Sequence, residues 1–148
     1  MSDLDLLGAL TRLEGAVAAL RARLRERLEV SQGDLTVIQF VARAETAERT
    51  VRVKDLATHL GLTGPAVTGL VDRLERSGHL CRVPNPDDGR SRRIELTEAT
   101  RGAYAAAMDG TNQHLHDLMA SFSERERARF VRIVDRVVAA IDLGSPGA

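Results

Sequence analysis

Cysteine, lysine and long apolar runs are what this sequence has least of. A single cysteine, Cys81, among 148 residues excludes an intramolecular disulfide and any zinc site built on a cysteine cluster. No apolar stretch approaches the ~20 residues that span a bilayer, and Met1-Ser2-Asp3-Leu4-Asp5 lacks the basic start and apolar core of a signal peptide. The expectation is a cytoplasmic chain with no membrane partner. Gly61-Leu62-Thr63-Gly64 is followed by no Gly-Lys-Ser/Thr, so a phosphate-binding loop is missing. Neither a serine hydrolase elbow nor a set of nucleophile, base and orienting group is legible, and no enzyme is expected. His114 and His116, two residues apart, point to different faces of a helix, whereas ligands on one helical face lie three or four apart. His59 and His79 are remote from them, and neither a metal nor another cofactor is expected.

Net charge is missing too, with 21 basic and 21 acidic residues, but the balance is uneven along the chain. Residues 1–48 carry 6 basic and 8 acidic groups, residues 49–97 carry 9 and 6, and residues 98–148 carry 6 and 7. The basic surplus lies in the middle. Only Lys54 is a lysine, so nearly all of it is arginine.

What is present is helical periodicity. Leu6, Leu10, Leu13, Val17, Leu20, Leu24 and Leu28 repeat every three or four residues and predict a long amphipathic helix whose stripe needs a cover from this chain or a second one. Ser31-Gln32-Gly33-Asp34 then opens a second helix carrying Leu35, Ile38, Phe40 and Val41. Thr50-Val51-Arg52-Val53 is a short β-branched stretch, followed by a two-turn helix from Lys54 to Gly61. Thr63 or Gly64 caps a further helix to about Ser77, with Pro65 in its first turn and Val67, Leu70, Val71 and Leu74 buried. Leu80–Val83 and Arg93–Leu96 read as two strands joined by a long exposed tip, residues 84–92. Residues 98–119 predict an alanine-rich helix interrupted near Gly110-Thr111-Asn112. Ser123-Glu124-Arg125-Glu126 is a capping box opening a last helix with Phe130, Ile133, Val134, Val137, Val138 and Ile141, and residues 144–147 should fray.

The fold class is therefore mainly α with a small β-hairpin, an α+β arrangement read as one domain. Two short helices joined at residues 61–65 and followed by a hairpin rich in arginine have the layout of a winged helix-turn-helix, whose second helix enters the major groove while the hairpin reaches the backbone or the minor groove. Arg90, Arg92 and Arg93 offer charge for phosphates. The competing readings are a solvated loop without a partner and a winged helix used for protein–protein interaction without DNA binding.

Three blocks carry a resemblance: Val67-Thr68-Gly69-Leu70-Val71-Asp72-Arg73-Leu74-Glu75-Arg76-Ser77-Gly78, Pro86-Asp87-Asp88-Gly89-Arg90-Ser91 and Ile94-Glu95-Leu96-Thr97-Glu98-Ala99. In order and spacing they resemble the signature of the multiple antibiotic resistance regulator (MarR) family. The resemblance implies a homodimeric winged-helix transcriptional regulator, generally a repressor, on a pseudo-palindromic double-stranded DNA operator, released by a small aromatic or phenolic effector. It implies one domain over 1–148, with the winged region at 50–97 and dimerisation helices at 4–30 and 98–142. Arg90 corresponds to the wing-tip arginine and Asp88 to a wing aspartate that fixes the loop by pairing with an arginine. The candidate DNA contacts are Thr63, Pro65, Ala66, Thr68, Gly69 and Arg73, with Arg90, Ser91 and Arg92 on the wing. Gly69 departs from the family, in which a longer side chain is frequent, and Thr100 stands where glycine is common. Leu13, Val17, Phe40 and Met108 are candidates for a ligand pocket and equally for an ordinary core. Cys81 reads as a buried strand residue rather than a redox switch.

Overall fold

Each helix begins where a side chain or a free carboxylate satisfies N–H groups that a first turn leaves without partners. The computed structural model describes residues 5–143. Leu4, at the expected start of the first dimerisation segment, and residues 144–147 lie outside the described residues. The order is α1 (Leu6–Leu28), α2 (Gln32–Thr46), α3 (Val53–Leu60), α4 (Gly64–Arg76), β1 (Leu80–Asn85), β2 (Asp88–Leu96), α5 (Glu98–Ser121) and α6 (Glu124–Leu143). This is the mainly helical fold with one antiparallel hairpin that the periodicity predicts.

Asp5 accepts the Gly8 N–H at 2.8 Å to start α1, and Ser31 accepts that of Asp34 at 3.1 Å to start α2. The capping box at α6 forms in both directions, with the Ser123 N–H donated to Glu126 at 2.8 Å and the Glu126 N–H to Ser123 Oγ at 3.3 Å. The buried core gathers Leu24 and Leu28 of α1, Leu35, Ile38 and Val41 of α2, Leu56 of α3, Val67, Val71 and Leu74 of α4, and Leu80, Ile94 and Leu96 of the hairpin. Every one of these positions belongs to an apolar repeat of period 3.6 or 2, so the sequence pattern and the packing agree.

Three local expectations need correction. The Thr50–Val53 stretch forms no strand; Val51 contributes one carbonyl, which accepts the Ile94 N–H at 2.8 Å, and Val53 already opens α3. Helix α5 runs unbroken through Gly110, because one glycine costs a helix only about 1 kcal/mol relative to alanine and no proline follows it. The hairpin is longer and its tip shorter than expected: Pro84 pairs with Arg92 and Asn85 with Asp88, leaving a turn at Pro86 and Asp87.

The chain divides into two compact units, residues 1–108 and 109–148, the boundary falling within α5. Among the described residues, the buried apolar ones all belong to the first. In the second, α6 exposes Phe130, Val131, Ile133, Val134, Val138 and Ile141.

Candidate nucleic-acid interface

The turn between α3 and α4 is built by Gly61 and Thr63. Gly61 takes φ +64°, a left-handed conformation that costs a residue without Cβ little, and ends α3. Thr63 Oγ1 then accepts the Ala66 N–H at 3.4 Å, with Pro65 in the first turn of α4. Val67, Val71 and Leu74 bury one side of α4. Thr63, Pro65, Ala66, Thr68, Gly69 and Arg73 are all exposed, so the helix turns its positive N-terminal end and its opposite face to solvent.

The same spacing adds Arg76, which is absent from the candidates drawn from the sequence. Pro65, Gly69, Asp72 and Arg76 follow one another at intervals of four, three and four, opposite the buried stripe, and Arg76 is exposed. The signal was available in the helical period.

Charge on α4 is settled by partners on other elements. Arg73 pairs with Asp34 in the first turn of α2. Burial works to raise the Asp34 pKa, but the Arg73 and Ser31 hydrogen bonds outweigh it and hold the carboxyl below its ordinary value. Arg82 of β1 donates to Asp72 Oδ1 at 2.6 Å, pairs with Glu75, and gives its backbone N–H to Glu75 Oε1 at 3.2 Å. Burial disfavours the Arg82 charge, and its two carboxylate partners more than restore it, so its pKa rises. Among the described residues Arg76 has no ion pair.

The wing is held by its own polar side chains. Buried Asn85 donates to Ser91 Oγ at 3.0 Å and accepts the Asp87 N–H at 3.1 Å. Ser91 in turn donates to the Asp88 carbonyl at 3.2 Å, so its hydroxyl is engaged inside the hairpin. Asp88 Oδ1 accepts the Arg90 backbone N–H at 3.1 Å, and among the described residues it pairs with no arginine side chain. Among the described residues Arg90 and Arg92 are exposed without an ion pair, while Arg93 pairs with Glu95 at 2.7 Å.

At the hairpin base Glu45 accepts the Leu96 N–H at 2.9 Å and binds Arg101 through both oxygens. Thr100, buried, shares a 3.0 Å hydrogen bond with His79 Nδ1, which gives that unfamiliar threonine a structural role. Half-buried Cys81 lies on β1 opposite Glu95 of β2, with its thiol pKa raised by burial and by the Glu95 charge. Of the four pocket candidates, Met108 is buried in the core and Phe40 packs against that core, whereas Leu13 and Val17 are exposed on α1. Phe40 also lines a cleft of about 410 Å³ with Arg49, Asp55, Thr58 and His59, its ring 4.4 Å from that of His59.

Residues 33–91 match the model of the MarR family. The chain is 39% identical over 59 residues to the transcriptional activatory protein BadR of Rhodopseudomonas palustris, an alignment covering 40% of this chain and 34% of BadR. It spans only about a third of that relative. To the HTH-type transcriptional regulator PecS of Dickeya dadantii it is 23% identical, over 91% of this chain and 84% of PecS. Among solved structures, MepR of S. aureus in complex with DNA superposes with a TM-score of 0.60 at 16% identity, covering 95% of this chain and 99% of MepR. MepR bound to ethidium bromide gives 0.54 at 19%, over 90% and 95%. At these identities the structural likeness shows the fold.

Proposed function

We propose that the chain is a winged-helix regulator of the MarR family, a homodimeric repressor of transcription that binds a pseudo-palindromic operator and is released by a small aromatic ligand. The observation that carries the DNA reading is the exposed N-terminal face of α4 in the same compact unit as a wing bearing two exposed, unpaired arginines, Arg90 and Arg92. A helix N-terminus and free guanidinium groups are what phosphates select. MepR supports it as a protein of this fold solved with DNA and with an aromatic cation.

In this reading Thr63, Pro65, Ala66, Thr68 and Gly69 face the major groove. Arg90 and Arg92 reach phosphates or the narrow minor groove beside it. The segments at 4–30 and 98–142 supply the dimer, and residues 50–97 the winged region, of one domain. Among the described residues no helix is long and apolar enough to cross a membrane, and the proposed setting is the cytoplasm.

Selection of duplexes from a randomised pool tests the proposal. The expected product is a two-fold sequence whose half-sites lie about one helical turn apart, and phenolic or aromatic compounds should release it. Failure to enrich any duplex, with recovery of a bound protein instead, would promote the protein-interaction reading.

A further inference from the structure

Taken alone, α4 is an unfavourable surface for a polyanion, because Asp72 and Glu75 cancel Arg73 and Arg76. The surrounding elements change that balance. Arg73 is engaged by Asp34 of α2. Arg82 of β1 lies between the two carboxylates, its own side chain 22% exposed while those of Asp72 and Glu75 remain 49% and 40% exposed. One nitrogen of its fork goes to each carboxylate, an arrangement that the three-donor point charge of a lysine does not reproduce in a plane.

We propose that Arg82 is a positioning residue for duplex DNA: its one positive charge, divided between the two carboxylates of α4, cuts their net charge from −2 to −1, which Arg76 then balances, and it docks β1 against α4 in doing so. The inference rests on the DNA-binding reading and adds a residue to it. Arg82 need not touch DNA. Without it, two partly exposed carboxylates would stand on a helix that approaches phosphates, and their repulsion would be long-range and sensitive to salt. With it, Asp72, Glu75, Arg82 and Arg76 sum to zero instead of −1, and the outward line of Pro65, Gly69 and Asp72 ends in Arg76, which has no ion pair among the described residues.

The test compares Arg82→Met with the triple variant Arg82→Met/Asp72→Asn/Glu75→Gln, using fluorescence anisotropy on the duplex that the wild-type chain enriches from a randomised pool. Arg82→Met is expected to weaken binding about tenfold or more at low salt, with the deficit shrinking as ionic strength rises and the charges are screened. The triple variant, in which the carboxylates are gone, should return to within about threefold of wild type. A triple variant as weak as the single one, or a single variant that binds like wild type, overturns the role. Should Arg82→Met fail to fold, Asp72→Asn/Glu75→Gln with Arg82 intact decides: binding at wild-type strength or tighter agrees, and a larger than threefold loss overturns it. If the wild-type chain enriches no duplex at all, the DNA reading falls and takes this inference with it, whereas wild-type binding with an unaffected Arg82→Met removes this inference alone.

Discussion

Arg90 and Arg125 carry the same charge, yet their replacement by alanine is expected to affect DNA binding unequally. Arg90 is exposed on β2 just past the turn at residues 86 and 87, with no ion pair among the described residues, whereas Arg125 lies in the first turn of α6. Each duplex phosphate that a cation ceases to neutralise flattens the slope of log K against log salt by roughly 0.9, so Arg90→Ala in a dimer should flatten it by up to about two units. Circular dichroism and mass in solution should not change, since an exposed arginine adds little to stability. Equal losses for the two variants, or an unchanged slope for Arg90→Ala, would remove the wing from the interface. The arginines also mark where the site stopped being legible. In sequence, Arg73, Arg90, Arg92 and Arg93 look alike, and only the fold shows that Arg73 meets Asp34, 39 residues away, and that Arg93 meets Glu95 on its own strand. Position along the chain identifies a candidate cation; its partner decides whether the charge is free.

At the scale of elements, periodicity and caps located every helix, because burial of an apolar stripe and the needs of a first turn are written locally. What was not legible depends on distant or unsignalled groups. Glu29 and Glu48 both take φ +53° without a glycine to announce it. The hairpin's extra pairs depend on Asn85 reaching Ser91 across the turn, which turn composition alone does not encode. The tie between α2 and α4 is of this kind and has a consequence for stability with pH. The Asp34 pKa is lowered in the folded chain, so the group contributes stability above the unfolded value of about 3.9, and that contribution is lost as pH falls through the lower folded value. Asp34→Asn should therefore be less stable than wild type at pH 7, and the difference should close below about pH 4. Urea titrations of both proteins at pH 3 and pH 7 measure it. A difference that stays constant between these values would mean that the Asp34–Arg73 pair contributes nothing to the acid limb.

At the scale of the whole molecule, the largest unexplained feature is apolar surface in two places. Leu6, Leu10, Leu13 and Val17 of α1 and Phe130, Ile133, Val134 and Val138 of α6 are exposed, Leu13 by 55% and Phe130 by 52%. Isolated exposed leucines are ordinary, but stripes along two helices exceed what a soluble monomer leaves bare. A second copy offers the same stripes, which is the condition for a two-fold interface. Sedimentation should therefore give twice 16.1 kDa. The choice of face supplies the sharper test, because α6 is apolar on one side only. Val134→Asp puts a carboxylate into the apolar stripe, whereas Ala139→Asp, five residues on, places the same charge well round the helix at an exposed position. Val134→Asp is expected to raise the dissociation constant of the dimer on the order of 100-fold, about 2.8 kcal/mol, and Ala139→Asp to leave it nearly unchanged. Both should keep the helical signal of wild type. Because a pseudo-palindromic operator needs two recognition helices held together, Val134→Asp should also lose operator affinity at concentrations where it is monomeric, although no residue of the winged region has been altered. A wild-type chain that sediments as a monomer at micromolar concentration, or two variants that dissociate alike, would show that the apolar face of α6 is not the seam and would take the two-fold operator down with it.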